Sequence, residues 1–246
     1  MIRTVLSGLR TFIGVPLFFI YTLILAGIII VYGAFRPASR IHDKIVRHWA
    51  SVFLKIPPVS VEVDGVDKID PTKRYVIASN HLSQFDIPLM FSVLPLHGRF
   101  LSKKEVFKIP LVGRAMRTIG IIEIDRASGT SSRQAINEGV KVAADRGYSL
   151  IVFPEGTRGT NGDLLPFKKG AFRIAIDTGL PLVPVIIEGT ELINSPGSKV
   201  FRPGTARVVI GDPIETSGMT NKDDLNDFVR TVEATITEKY QELRKA

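Results

Sequence analysis

Twenty-five consecutive residues without a charge, TFIGVPLFFIYTLILAGIIIVYGAF from Thr11 to Phe35, constrain what this chain can fold into more than any other feature. As a helix they reach about 37 Å, against a bilayer hydrocarbon core of about 30 Å. The run is about twice as long as the apolar region of a cleaved leader, and no small-x-small site follows it, so it reads as a retained membrane segment. The next stretch, SRIHDKIVRHWASVFLKI, is amphipathic: Ile41, Ile45, Trp49 and Val52 fall on one stripe, with Arg40, Lys44, Arg47 and His48 largely outside it. A basic amphipathic helix with a tryptophan suits the headgroup layer. Two arrangements stay open, a hairpin dipping into one leaflet and a single transmembrane helix whose successor packs on the globular part. Pro57-Pro58 ends helical structure, because proline lacks the amide donor and disfavours helix before it. The expected organisation is an N-terminal membrane anchor over residues 1–57, with an apolar helix over 11–35 and a basic one over 38–55, followed by one domain over 58–246.

Charge supports that reading. The net charge is +8 over 246 residues, and +6 of it lies in the first sixty, flanking the apolar run. A bilayer partner is therefore expected and no nucleic acid, since the remainder is close to neutral and carries no recognisable nucleic-acid motif. The heavier basic flank after Arg36 places the globular domain on the cytoplasmic side of a cell membrane. Cysteine is absent, which excludes a disulfide scaffold, a thiolate metal site and a cysteine nucleophile. From Val59 onward, short β-rich runs (75–78, 99–101, 121–124, 150–153, 183–187 and 207–210) alternate with helical patterns. Helices are expected from Ser131 or Ser132 to Arg146, over 171–178, and from about Lys222 to Arg244. Such alternation predicts an α/β fold, a single domain with a largely parallel central sheet flanked by helices.

Three polar blocks follow expected strand ends, where α/β sheets place ligands and reacting groups. The first is Asn80-His81-Leu82-Ser83-Gln84-Phe85-Asp86. A histidine becomes a general base when a carboxylate holds its other ring nitrogen. Five residues apart on one helix, His81 and Asp86 lie about 140° round from each other and miss. They meet if His81 stays in a loop and Asp86 opens the next helix, and Pro88 favours a helix start there. The plainer alternative makes Asp86 an N-cap only. The second block is basic, Arg99, Lys103, Lys104, Lys108, Arg114 and Arg117 against Glu105. A solvated face is the ordinary meaning of such a run, but Lys103 and Lys104 follow the strand RFLS and suit an anionic substrate such as a phosphate ester. The third, Phe153-Pro154-Glu155-Gly156-Thr157-Arg158, offers a turn glycine and a guanidinium fork for phosphate. There is no Gly-x-Ser-x-Gly elbow, phosphate loop or HExxH, and the four histidines lack ligand-like spacing, so no metal is expected.

Taken in order, NHLSQFD, KKEVFKIP with GIIEIDR, FPEGTR with PFKKGAF, and VPVII resemble the glycerolipid acyltransferase family, most closely its 1-acyl-glycerol-3-phosphate acyltransferase branch. The resemblance runs from about Tyr75 to Glu188. It implies that His81 and Asp86 are the catalytic His-x4-Asp pair, and that Glu155, Gly156, Thr157 and Arg158 bind the glycerol phosphate. In the family's Gly-x-x-Phe-x-x-Arg block, Gly120 and Arg126 fit while Glu123 replaces the aromatic. The implied reaction is direct transfer of an acyl chain to the sn-2 hydroxyl of lysophosphatidic acid, giving phosphatidic acid. His81 takes the hydroxyl proton, Asp86 orients it, backbone amides hold the oxyanion, and Arg158 with Lys103 or Lys104 grips the phosphate. No cofactor is expected beyond the donor substrate, acyl-CoA or acyl-carrier protein. Rival readings are an acyltransferase for another lyso-lipid, such as a lyso-ornithine lipid, and a membrane lipid-binding protein without turnover.

Overall fold

The structure, a computed structural model, describes residues 2–37, 39–124, 140–141, 143, 145–160 and 162–245, with side chains from residue 4. Arg126 and most of the helix expected from Ser131 or Ser132 lie outside the described residues. Helix α1 spans Ile2–Phe35 and α2 spans Ile41–Phe53. The first begins nine residues before the uncharged run, because Arg3 and Arg10 limit membrane burial and not helix formation.

Strands β1 (Val59–Asp64), β2 (Val76–Ser79), β3 (Gly98–Lys103), β4 (Ile122–Ile124), β5 (Ser149–Val152), β6 (Leu182–Glu188) and β7 (Gly204–Ile210) form one sheet ordered β1-β7-β6-β2-β5-β3-β4. The five strands from β6 to β4 are mutually parallel; β7 is antiparallel to β6, and β1 runs with β7. Central β2 and β6 are buried at every position, which is why they read as unbroken apolar runs. Pro184 sits inside β6 where a missing donor is tolerated. The Leu182 amide points toward the β7 side, to Ile214, and Pro184 faces the same way, just ahead of the ladder that begins at Val185 and Ile210.

Helices cover both faces of the sheet. On one lie α1, α2, α3 (Asp86–Val93) and α4 (Val112–Ile119); on the other lie α5 (Gly170–Thr178) and α7 (Lys222–Lys245), while the short α6 (Thr190–Ile193) after β6 packs Ile193 into the first core. Alternation splits β2 between them: Ile77 joins the first core, Val76 and Ala78 the second. Helix α7 buries Leu225, Phe228, Val229, Val232, Ile236 and Tyr240, a stripe at helical spacing. The Asn221 carboxamide caps it by accepting from the Asp223 and Asp224 amides.

Helices α1 and α2 form an antiparallel pair docked on the domain. Contacts run along α1 from the Phe201 amide, bonded to Thr11 Oγ1 at 3.0 Å, through the Trp49 indole on Thr22, to Gly33, where an added Cβ would lie 2.2 Å from Thr118 Cγ2. The face of α2 turned inward is His42, Val46 and Ala50 rather than the stripe through Ile41, which is 43% exposed. A buried ion pair pulls it there: Asp43 lies 2.6 Å from Arg99, whose guanidinium stacks on Tyr148 at 4.0 Å, and 2.6 Å from His97 Nδ1. The outer side of α1 exposes Val5, Leu9, Phe12, Leu17, Ile20, Ile24, Ile28, Val31 and Phe35. It is long and apolar enough to cross a membrane, with 11% of its most apolar window buried.

Candidate active site

At the end of β2 the Asn80 side chain continues the sheet in place of backbone. Its Nδ2 donates to the Ile187 carbonyl and its Oδ1 accepts the Ile187 amide, both at 2.8 Å. The chain is thus released into a loop at His81 while β6 stays tied. Asp86 is the first residue of α3, with Pro88 in the first turn, and the two side chains meet with His81 Nδ1 2.7 Å from Asp86 Oδ2.

Asp86 is fully buried and its carboxylate is fully engaged. Oδ2 also accepts the amides of Leu82 at 2.7 Å and Ser83 at 2.9 Å, while Oδ1 accepts the Thr190 hydroxyl at 2.6 Å. These amides precede Asp86, so it closes the His81 loop rather than capping its own helix. An acceptor with this many donors requires Nδ1 to carry the hydrogen, which leaves Nε2 as the basic nitrogen. Phe153 stacks on the imidazole at 4.0 Å and 10°, fixing the ring from its face. Phe153 belongs to the third polar block, but its ring contact with His81 has no local signal, and Thr190 has none at all, because crossover connections bring them beside β2.

Glu155 has a different place from that expected of a substrate ligand. It is 1% exposed, accepts the His81 amide on Oε1 at 2.7 Å and accepts the Leu165 amide on Oε2 at 2.8 Å. Burial pushes its carboxyl up to about 7, although both amide bonds oppose the shift. The Gly159 amide adds a bond to the His81 carbonyl at 3.3 Å. Gly156 turns between these anchors with φ +73°, and a Cβ there would meet Lys168 Nζ at 2.8 Å. From outside, Tyr240 of α7 donates to the Gly162 carbonyl at 2.7 Å. Burial raises the Tyr240 phenol well above its usual range, which keeps it a donor.

His81, Lys103, Thr157 and Arg158 line one cavity of about 490 Å3, which Lys104, Glu155 and Gly156 do not. The rest of its wall is mostly apolar and comes from both sides of the docked helices, including Ala26 and Ile29 of α1, Trp49 of α2, and Ala115 and Ile119 of α4. Lys103 and Arg158 are exposed and make no ion pair among the described residues. The basic run is thereby sorted by use: Arg99 anchors α2, Arg117 pairs with Glu123 at 2.8 Å, and Lys103 turns to the cavity. Among the described residues no three His, Asp or Glu side chains converge as metal ligands.

The arrangement can abstract a proton at Nε2 beside two cations and a long apolar space. Residues 60–188 match the family model described as Acyltransferase. A 1-acyl-sn-glycerol-3-phosphate acyltransferase of Limnanthes alba is 36% identical over 174 residues, 71% of this chain and 61% of that relative. The human 1-acyl-sn-glycerol-3-phosphate acyltransferase alpha is 31% identical over 203 residues, 82% of this chain and 72% of that protein. The chain spans 61% and 57% of the first two curated relatives it matches. The crystal structure of the 1-acyl-sn-glycerophosphate (LPA) acyltransferase PlsC from Thermotoga maritima superposes with a TM-score of 0.81 at 27% identity, covering 100% of this chain and 98% of that one. A family match that takes in both loops around His81, with a solved fold shared over the whole chain, makes this protein a member of the acyltransferase family.

Proposed function

We propose that this protein is a membrane-bound 1-acylglycerol-3-phosphate O-acyltransferase that converts lysophosphatidic acid to phosphatidic acid with a thioester donor, acyl-CoA or acyl-carrier protein. The observation that carries the reading is the pairing of His81 with the buried Asp86 at a cavity that joins two cations to a long apolar wall. His81 Nε2 takes the proton of the sn-2 hydroxyl as that oxygen attacks the thioester carbonyl carbon. Asp86 stabilises the imidazolium that forms. As the tetrahedral intermediate collapses, the C–S bond breaks and the thiolate leaves with the proton from His81. Lys103 and Arg158 hold the acceptor phosphate, which makes the attack effectively intramolecular. Acyl chain occupies the apolar part of the cavity. Glu155 is the positioning residue that binds the phosphate-gripping loop to the His81 loop.

The docking of α1 supports an in-plane membrane placement. Helix α1 is held to the domain from Thr11 to Gly33, a length of about 33 Å, so it cannot cross a bilayer without drawing the domain in. Its exposed apolar side suits a helix lying in the plane of one leaflet, on the cytoplasmic face of the cell membrane by the basic flank. This favours the hairpin over the span and sets the cavity beside the lipids that supply the acceptor.

The test is acyl transfer to lysophosphatidate in mixed micelles with each donor, wild type beside His81→Ala. Phosphatidate from wild type and a loss of roughly 10²-fold or more in the variant is the expected outcome. Equal rates refute the base. Transfer to an uncharged-headgroup lysolipid with equal efficiency refutes the phosphate grip.

A further inference from the structure

A second cavity, about 520 Å3, lies at the opposite end of the sheet, before the first residues of β2, β3, β5 and β6. Arg40, Lys73, Arg74 and Arg146 line it together with His97 and Asp43. The one carboxylate in that wall is already committed, because Asp43 binds both Arg99 and His97. Arg40, Lys73 and Arg146 are exposed and make no close ion pair among the described residues, although Asp70, outside the cavity wall, lies near enough to Lys73 to feel its charge. Arg40, Lys73 and Arg146, from three separate loops, therefore bring unpaired positive charge to a concave space whose described wall holds no uncompensated carboxylate. The size is that of a small-ligand site, and guanidinium forks match phosphate oxygens.

The position of this cavity selects the ligand's source. Arg40 sits in the turn between α1 and α2, between Phe35, 79% exposed, and Ile41, 43% exposed. If those two side chains enter the bilayer, Arg40 lies among the headgroups. We propose that this cavity binds the phosphate of an anionic phospholipid headgroup, a lipid site separate from the His81 cavity that fixes the turn of the hairpin to charged membrane. The proposal rests on the in-plane placement of α1. Because the cavity is across the sheet from His81, occupancy leaves chemistry on micellar substrate unchanged.

Flotation of the full-length protein with vesicles tests it. Three proteins are compared at fixed ionic strength on phosphatidylcholine vesicles and on vesicles with added phosphatidylglycerol: wild type, the triple variant Arg40→Ser, Lys73→Ser, Arg146→Ser, and a charge-matched control, Arg173→Ser, Lys222→Ser, Arg230→Ser. The control positions lie on α5 and α7, on the other face of the sheet. Each basic group near an anionic surface contributes about 1 kcal/mol, so the cavity variant loses on the order of 100-fold in partitioning to anionic vesicles. The control loses less than tenfold, and all three bind neutral vesicles alike through the apolar side of α1. Equal losses in the two variants, or none in the cavity variant, overturn the site. If vesicle binding is equal but inorganic phosphate raises the melting temperature of wild type and not of the cavity variant, the cavity takes free phosphate and the lipid assignment is wrong. Failure of wild type to float with either vesicle refutes the placement of α1 and the headgroup site with it.

Discussion

Replacing Asp86 by asparagine separates its charge from its hydrogen bonds. Oδ2 accepts two backbone amides, which can only donate, so the asparagine carbonyl must occupy that side and still offers His81 Nδ1 an acceptor. The new amide group then faces Thr190, whose hydroxyl rotates to accept instead of donate. Loop, tautomer and ring orientation are all retained, and only the negative charge is gone. A carboxylate and an imidazolium some 4 Å apart attract by about 4 kcal/mol at an effective dielectric near 20. Since the carbonyl still accepts the Nδ1 hydrogen, part of that remains, and turnover is expected to fall roughly 10²- to 10³-fold. Asp86→Ala differs in kind: it strands the Leu82 and Ser83 amides, at about 1–3 kcal/mol each, and lowers stability as well. Initial rates of phosphatidate formation against acceptor concentration, with thermal melts of both variants, measure this. A turnover for Asp86→Asn within tenfold of wild type refutes stabilisation of the imidazolium, and a melt as low as that of Asp86→Ala refutes the donor accounting.

Glu155 should make stability depend on pH. Its folded carboxyl titrates at about 7 and its unfolded one at 4.5, so its contribution is most favourable below 4.5 and is lost as pH rises through 7. The loss is up to roughly 3 kcal/mol, and denaturant melts at pH 5 and pH 8 should show the difference shrinking in Glu155→Gln. Arg158→Ala should raise the acceptor KM roughly 10- to 100-fold with a smaller effect on turnover, as expected for loss of a charged hydrogen bond; an unchanged KM in steady-state assays removes Arg158 from the phosphate site. Ala115→Phe fills the cavity between α4 and α1, and competition among donors of different length should shift toward shorter acyl chains.

How much could be read in advance depended on whether a local pattern carried the information. The buried strands announced themselves as apolar runs, and Gly179 ends α5 in the left-handed conformation, as a terminal glycine should. The meeting of His81 with Asp86 was legible because Pro88 marks a helix start three residues beyond the loop. Thr190 was not, because it reaches Asp86 only through the pairing of β2 with β6, more than a hundred residues away in sequence. Helix α4 was hidden by its charges and by Gly113, whose missing side chain admits the Phe107 carbonyl at a distance no Cβ allows. The cavity was invisible for a deeper reason: its wall is assembled from α1, α2, α4 and strand ends, and no single segment carries its outline. Glu155 is legible as a residue of the site, and a loop hydrogen bond is one of the uses its position allows. Its sequence neighbours suggested a ligand, and only burial and two amide donors reveal a cross-brace.

That cross-brace has a consequence for anyone wishing to redesign the proposed acceptor preference. One carboxylate spans the loop that carries the proposed base and the loop that carries the proposed phosphate grip, with the Gly159 amide as a second rivet. Exchanging residues 154–165 for the equivalent stretch of a relative would therefore retune the imidazole along with the specificity. Selectivity and speed are geared together here, and a productive chimaera has to transplant residues 80–86 in the same cassette.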